Sequence, residues 1–207
     1  MNSKSFDSLM AAALLLPGIS MSQVLPSQTS AFVGIRYLNY QDSQAHWDRI
    51  RVSSPSVQAG LPLGDRWRVD VDTLTDDISG ASPRYHASIS GASKVVDRRN
   101  AESVKVTHFE DRRVSSVTTS KSRENDFQSQ NVAAMTSWAT ADQNTSVSVG
   151  LGLTQDRITS VENLKLFESR KTKEISVGLT QALSRNDIAQ IALQHSSGTG
   201  YFSDPYK

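Results

Sequence analysis

The chain has 207 residues, with 22 Lys+Arg against 21 Asp+Glu for a net charge of +1, and it contains no cysteine. That balance gives no overall field to gather nucleic acid or anionic lipid, and the missing thiols exclude disulfides, thiol catalysis and cysteine-ligated metals. Hydrophobic residues make up 37% and the mean hydropathy is −0.39. A soluble chain has these values, but so does a β-barrel, which needs apolar residues only at alternate strand positions.

At the N-terminus, Lys4 precedes a short apolar run from Leu9 to Ile19, built around Ala11-Ala12-Ala13-Leu14-Leu15-Leu16. Pro17 and Gly18 break the run, and Ser20-Met21-Ser22 places small residues where a signal peptidase reads. A membrane-spanning helix needs about 20 apolar residues, more than this run supplies. Residues 1–22 are therefore expected to be a secretory signal peptide, and residues 23–207 a single β-barrel domain. A buried N-terminal helix is the alternative. No later segment is long and apolar enough to cross a membrane as a helix.

Beyond the signal, alternation of period two dominates. The first expected strand, Val33–Gln41, sets Val33, Ile35 and Tyr37 against Gly34 and Arg36. A second covers about Asp48–Ala59, where Pro55 implies a bulge or a sheet edge. Arg66–Thr75 opposes Trp67, Val69 and Val71 to Arg68, Asp70 and Asp72, and Glu102–Phe109 opposes Val104 and Val106 to Lys105 and Thr107. Val114–Lys121 is a weaker strand, and Asn131–Thr140 carries Val132, Ala134 and Trp138. The clearest is Thr145–Thr154: Val147, Val149, Leu151 and Leu153 share one face, and Ser146, Ser148, Gly150 and Gly152 the other. Lys173–Ala182 and Ile188–Ser196 repeat the pattern. A soluble strand usually carries charges on its wet side. A second face this small and mildly polar suits the lumen of a barrel whose apolar face touches lipid.

Short turns are expected at Pro62–Asp65, Glu110–Arg113, Ala141–Asn144 and Ser184–Asp187, with longer polar segments at Asp42–Trp47, Ile78–Ala101, Ser122–Gln130 and Asp156–Thr172. Strict alternation of short and long connections is the habit of a transmembrane barrel, with tight periplasmic turns and long external loops. A soluble β-sandwich has no reason to sort its loops this way. The fold expected is all-β, an antiparallel up-and-down transmembrane β-barrel with about nine strands. Single-chain bacterial barrels mostly have an even number of strands. Nine therefore implies either an overlooked strand or, as the better reading, a fragment of a longer barrel.

Four segments match a known pattern: Gly34-Ile35-Arg36-Tyr37-Leu38-Asn39-Tyr40-Gln41-Asp42, Arg49-Ile50-Arg51-Val52-Ser53-Ser54-Pro55-Ser56, Ser79-Gly80-Ala81-Ser82-Pro83-Arg84-Tyr85-His86, and Gly200-Tyr201-Phe202-Ser203-Asp204-Pro205-Tyr206-Lys207. They resemble domain of unknown function 3570, a family of uncharacterised proteobacterial proteins with a signal peptide and an expected outer-membrane barrel. The resemblance spans nearly the whole chain after the signal. It implies an outer-membrane location in a Gram-negative cell, and that this chain corresponds to the N-terminal part of the family's barrel. It implies no activity and no catalytic residues.

Among the four histidines, His86 lies near Asp76 and Asp77 in a serine-rich stretch and could be cast in a hydrolytic triad. No spacing enforces that role, and loop histidines among serines are mostly solvated. Asp70, Asp72, Asp76 and Asp77 lack the glycine and terminal glutamate of an EF-hand calcium loop. A plainer account places Asp70 and Asp72 inside the barrel facing Arg49 and Arg51, with Arg36 and Lys105 nearby, as a ladder of opposite charges that either plugs the lumen or lines a wet passage. There is no Gly-rich phosphate loop, zinc-ligand spacing or aromatic-basic stripe for nucleic acid.

The expectation is an outer-membrane protein without enzymatic activity, cofactor or metal, serving passage or assembly at the cell surface. Its partners would be outer-membrane lipid and the barrel-assembly machinery, not nucleic acid. A surface hydrolase using the 76–93 loop, or a secreted β-sandwich binding module, are the alternatives.

Overall fold

The computed structural model describes residues 30–44, 47–81, 94–160, 163 and 165–203. The expected signal peptide, His46 and His86 lie outside the described residues. Among the described residues nine strands follow one another: β1 (Phe32–Gln44), β2 (Trp47–Leu63), β3 (Trp67–Ala81), β4 (Lys94–Phe109), β5 (Arg113–Arg123), β6 (Phe127–Ala139), β7 (Thr145–Thr159), β8 (Phe167–Ala182) and β9 (Ile188–Gly200). They form one sheet in chain order, each strand antiparallel to the next. No second sheet packs on it among the described residues.

Apart from β2, which runs on past Ala59 to Leu63 at the turn end, the strands end close to the expected tight turns and run further than expected at the opposite end. β3 and β4 stay paired from Trp67↔His108 out to Ala81↔Lys94. The connections at that end are residues 45–46, 82–93, 124–126 and 160–166, against 64–66, 110–112, 140–144 and 183–187 at the turn end. The expected strict alternation of short and long connections therefore gives way: 45–46 and 124–126 are as short as the turns. Pro55 makes no bulge either. It pairs with Tyr37, and the β2–β3 register is the same on both sides of it, Ser53↔Asp77 and Ser56↔Leu74. The missing proline N–H interrupts one ladder without shifting it. The bulge in β1–β2 lies instead between Asp42 and Ser43.

Because side chains alternate, the register carries two separate faces across all nine strands. One row reads Gly60, Asp70, Lys105, Thr118, Ala133, Gly152, Glu174, Ser196. The next row, one residue along, reads Leu61, Val69, Val106, Val117, Ala134, Leu151, Ile175, His195. Burial falls on the polar face: Ser54, Asp76, Thr107, Ser116 and Asp156 are buried there. Leu61, Val71, Val104, Leu151 and Leu193 stand exposed on the other. Among the described residues, the buried hydrophobic side chain is Ile158, 6% exposed. That asymmetry is the reverse of a soluble domain, in which large apolar side chains enclose the core.

The apolar band crosses the sheet obliquely. On β1 its centre, Ile35, lies on the row of Val57, Thr73, Glu102, Lys121, Gln130 and Gln155. On β9 its centre, Ile191, lies on the row of Leu179 and Val147. From Gln155 to Val147 is eight residues along β7, for the eight steps from β1 to β9.

Candidate functional surfaces

The polar face is held by ion pairs between residues that register brings together. Arg68 Nε donates to Asp70 at 2.7 Å, and the same guanidinium lies 5.0 Å from the centre of the Phe32 ring. Both side chains lie over Gly60, where any Cβ would collide with Arg68, Phe32 and Asp70. Further along β3, Asp76 accepts from Ser54 Oγ and from Arg99, whose Nε is 2.9 Å away. On β7–β8, Asp156 is 2% exposed and accepts from Arg170 Nε at 2.7 Å. The Arg170 guanidinium sits 6.0 Å from the Phe127 ring centre and 5.4 Å from that of Phe202. Between these clusters the face is built from small residues. Gly150 faces Ser176 and Gly178 faces Ser148, and a Cβ on either glycine would come 2.5 Å from the opposing serine Oγ.

Register places four of the residues singled out in the sequence on this face: Arg36, Asp70, Asp72 and Lys105. Arg36 donates to Gln58, which is the register partner of Asp72, and Lys105 is the register partner of Asp70. Arg51 belongs to the other face. It alternates with Ser53, Pro55 and Val57, so Asp70 and Asp72 look across at Gly60 and Gln58 instead. The Arg49 side chain lies outside those described. Of the charges that do form pairs on the polar face, Arg68, Arg99, Asp156 and Arg170 were missed as site residues, and Asp76 was weighed only for a hydrolytic or calcium role. Most lie at the far ends of strands, where polar residues on both faces erase the alternation. The usable signal was charge complementarity across a continued register, Asp76 opposite Arg99 and Asp156 opposite Arg170.

On the apolar face, hydroxyls satisfy one another: Ser115 Oγ lies 2.9 Å from Thr136 Oγ1, and Tyr37 Oη lies 3.0 Å from Ser53 Oγ. Trp67 and Trp138 mark the edge of the apolar band at the turn end. His108 stacks on Trp67 with ring centres 4.3 Å apart and reaches Glu110 at 3.5 Å. The Arg113 side chain donates to Glu110 at 2.5 Å and holds the Glu110 carboxyl below its ordinary range. In the next turn the Thr140 hydroxyl and the backbone and side-chain N–H groups of Asn144 do the same for Asp142. Beyond the other edge of the band, Asp77 pairs with Arg98 at 2.9 Å. Among the described residues no group of three or more His, Asp or Glu side chains gathers as a metal site.

These features define an all-β, up-and-down antiparallel protein with one apolar and one polar, ion-paired face. The family described as Protein of unknown function (DUF3570) matches residues 6–108, 91–170 and 162–207, and the chain belongs to it. No curated protein and no solved structure matches the chain.

Proposed function

We propose that this chain forms the wall of an outer-membrane β-barrel, a non-enzymatic protein serving passage or assembly at the cell surface. The observation that carries the reading is the oblique apolar band on the exposed face of a sheet whose other face is small, polar and ion-paired. In water such a band would lose the transfer free energy of its side chains, about 25 cal/mol for each Å² left uncovered. In lipid the same surface is matched by its solvent.

The slant of the band supports the same reading quantitatively. One residue of drift per strand is about 3.3 Å along for about 4.8 Å across, an inclination of about 35°. If the band lies in the membrane plane, the strands tilt by that angle from the normal, at the lower end of the roughly 35–45° of membrane barrels. The strands are also longer than the bilayer needs, about 9–11 residues. β4 and β8 have 16 residues each. The surplus lies at the end carrying the 82–93 and 160–166 connections, so the strands would project beyond the external leaflet.

Inside, Arg36, Asp72 and Lys105 with the Arg68–Asp70, Arg99–Asp76 and Arg170–Asp156 pairs would line the lumen. Lipid and the barrel-assembly machinery are its partners in this reading. A surface hydrolase built on the 76–93 loop draws less support, because Asp76 and Asp77 are already engaged by Arg99 and Arg98.

Fractionation of cells expressing the full chain tests the proposal. The protein should sediment with outer membranes and stay there through carbonate extraction. Recovery as a soluble periplasmic species would overturn it.

A further inference from the structure

Five cations stand together on the apolar face just beyond the edge of the band: Lys121 and Arg123 on β5, Arg157 on β7, and Lys171 and Lys173 on β8. Register ties them into adjoining rows. Lys121, Gln130, Gln155 and Lys171 form one row, and Arg123, Gln128 and Arg157 the next. Lys173 pairs with Leu153 at the edge of the band itself. The residues between them on that face of β6 and β7 are glutamines.

The acids of β7 and β8 are all on the opposite face, and the acid that faces the patch comes from the neighbouring strand, Glu102 on β4. Asp156 is tied to Arg170, and Glu168 and Glu174 share its alternation. None of the five cations is ion-paired to a carboxylate among the described residues. Elsewhere on this face charges are balanced, as by Asp77 on Arg98. Here, among the described residues, five cations face one carboxylate, that of Glu102 on β4, the register partner of Lys121. Four neighbouring strands span about 14 Å at about 4.8 Å each, and rows two residues apart are separated by about 6.6 Å. That area is wider than a single phosphate.

We propose that β5–β8 bind a membrane amphiphile carrying more than one phosphate. Its acyl chains would lie on Val117, Val132, Leu151 and Leu153, and its phosphates on Lys121, Arg123, Arg157, Lys171 and Lys173. The inference rests on the proposed membrane orientation, which sets the cations at the level of the headgroups where the 124–126 and 160–166 connections emerge. Apolar chains and phosphates are recognised by adjoining parts of one surface, so a soluble anion would receive only half of the site. Arginine forks and lysine ammonium groups are both suited to phosphate oxygens.

The test uses the full chain refolded into phosphatidylcholine vesicles, with or without a minor fraction of a bis-phosphorylated, multi-acyl glucosamine lipid. Lipid retained on the detergent-extracted protein is then measured by native mass spectrometry. The wild type should retain the phosphorylated lipid in preference to phosphatidylcholine. Combined K121Q, R157Q and K171Q should reduce that preference at least about tenfold, as loss of three headgroup cations requires, while R112Q at the turn end should not. Inorganic pyrophosphate should compete poorly. Insertion into both vesicles with no preference, or a preference that survives the triple substitution, would overturn this site alone. Pyrophosphate binding as tight as the lipid would make it an anion site unrelated to the membrane. Failure to insert into either vesicle would overturn the barrel reading and the lipid site with it.

Discussion

Single residues on the polar face carry the sharpest energetic consequences. Arg170 is held between two aromatic rings and neutralises Asp156, whose carboxylate is almost fully buried. Arg170→Leu leaves that charge without its partner and should cost about 3 kcal/mol in a denaturant titration of the folded protein. Adding Asp156→Asn should restore most of the loss. At the turns, Gly64 has a φ of 66° with open space around it, so Gly64→Ala should cost about 1 kcal/mol through backbone strain alone. Glu110 and Asp142 have depressed pKa values. Their contribution to stability is complete above the ordinary carboxylate range and is lost as pH falls through their lower folded values. The stability difference between wild type and Asp142→Asn, followed by unfolding midpoint, should therefore be present at pH 7 and vanish in strongly acidic buffer.

At the scale of the strand, the face a residue occupies decides what it tolerates. In the proposed barrel Leu151→Arg should cost about 2–4 kcal/mol, because it would drive a charge into lipid near the middle of the band. Ser176→Arg, on the polar face of β8, should fold and resist heat in detergent as the wild type does. Equal damage from both would mean that both faces are packed against protein. The apolar halves of the strands were legible in the sequence: alternation located all nine and fixed the turn ends closely, as at Thr145 and Ala182, except on β2, which was expected to stop at Ala59 and runs to Leu63. The far halves were not. Past Leu74 on β3 and Leu153 on β7 both faces become polar, so hydrophobic periodicity stops while the backbone ladder continues. What extends it are cross-strand ion pairs, Asp77 with Arg98, Asp76 with Arg99 and Asp156 with Arg170. The same pairing bears on proteolysis of the proposed barrel. Arg98 and Arg99 are in the β4 ladder and should resist trypsin added to whole cells, whereas Arg84, in the 82–93 connection, should be cut.

Among the described residues the molecule is a single nine-stranded sheet that leaves its large apolar side chains exposed on one face. The outer edges of β1 and β9 have no strand partner among the described residues. An open edge offers a row of unpaired N–H and C=O groups, which lipid cannot satisfy, so a spanning sheet must close on itself or on further strands. In the proposed barrel the drift of one residue per strand would correspond to the stagger that closure needs. The central claim, that the band faces lipid and the ion-paired face does not, is tested most directly by nitroxide labels placed singly at residues 147 to 153 of the membrane-inserted protein. Labels at 147, 149, 151 and 153 should be accessible to oxygen dissolved in the bilayer and shielded from a water-soluble nickel chelate, and those at 148, 150 and 152 should show low oxygen accessibility. Odd-numbered labels accessible to the nickel chelate, or shielded from both reagents, would show that the band meets water or protein and would contradict the account.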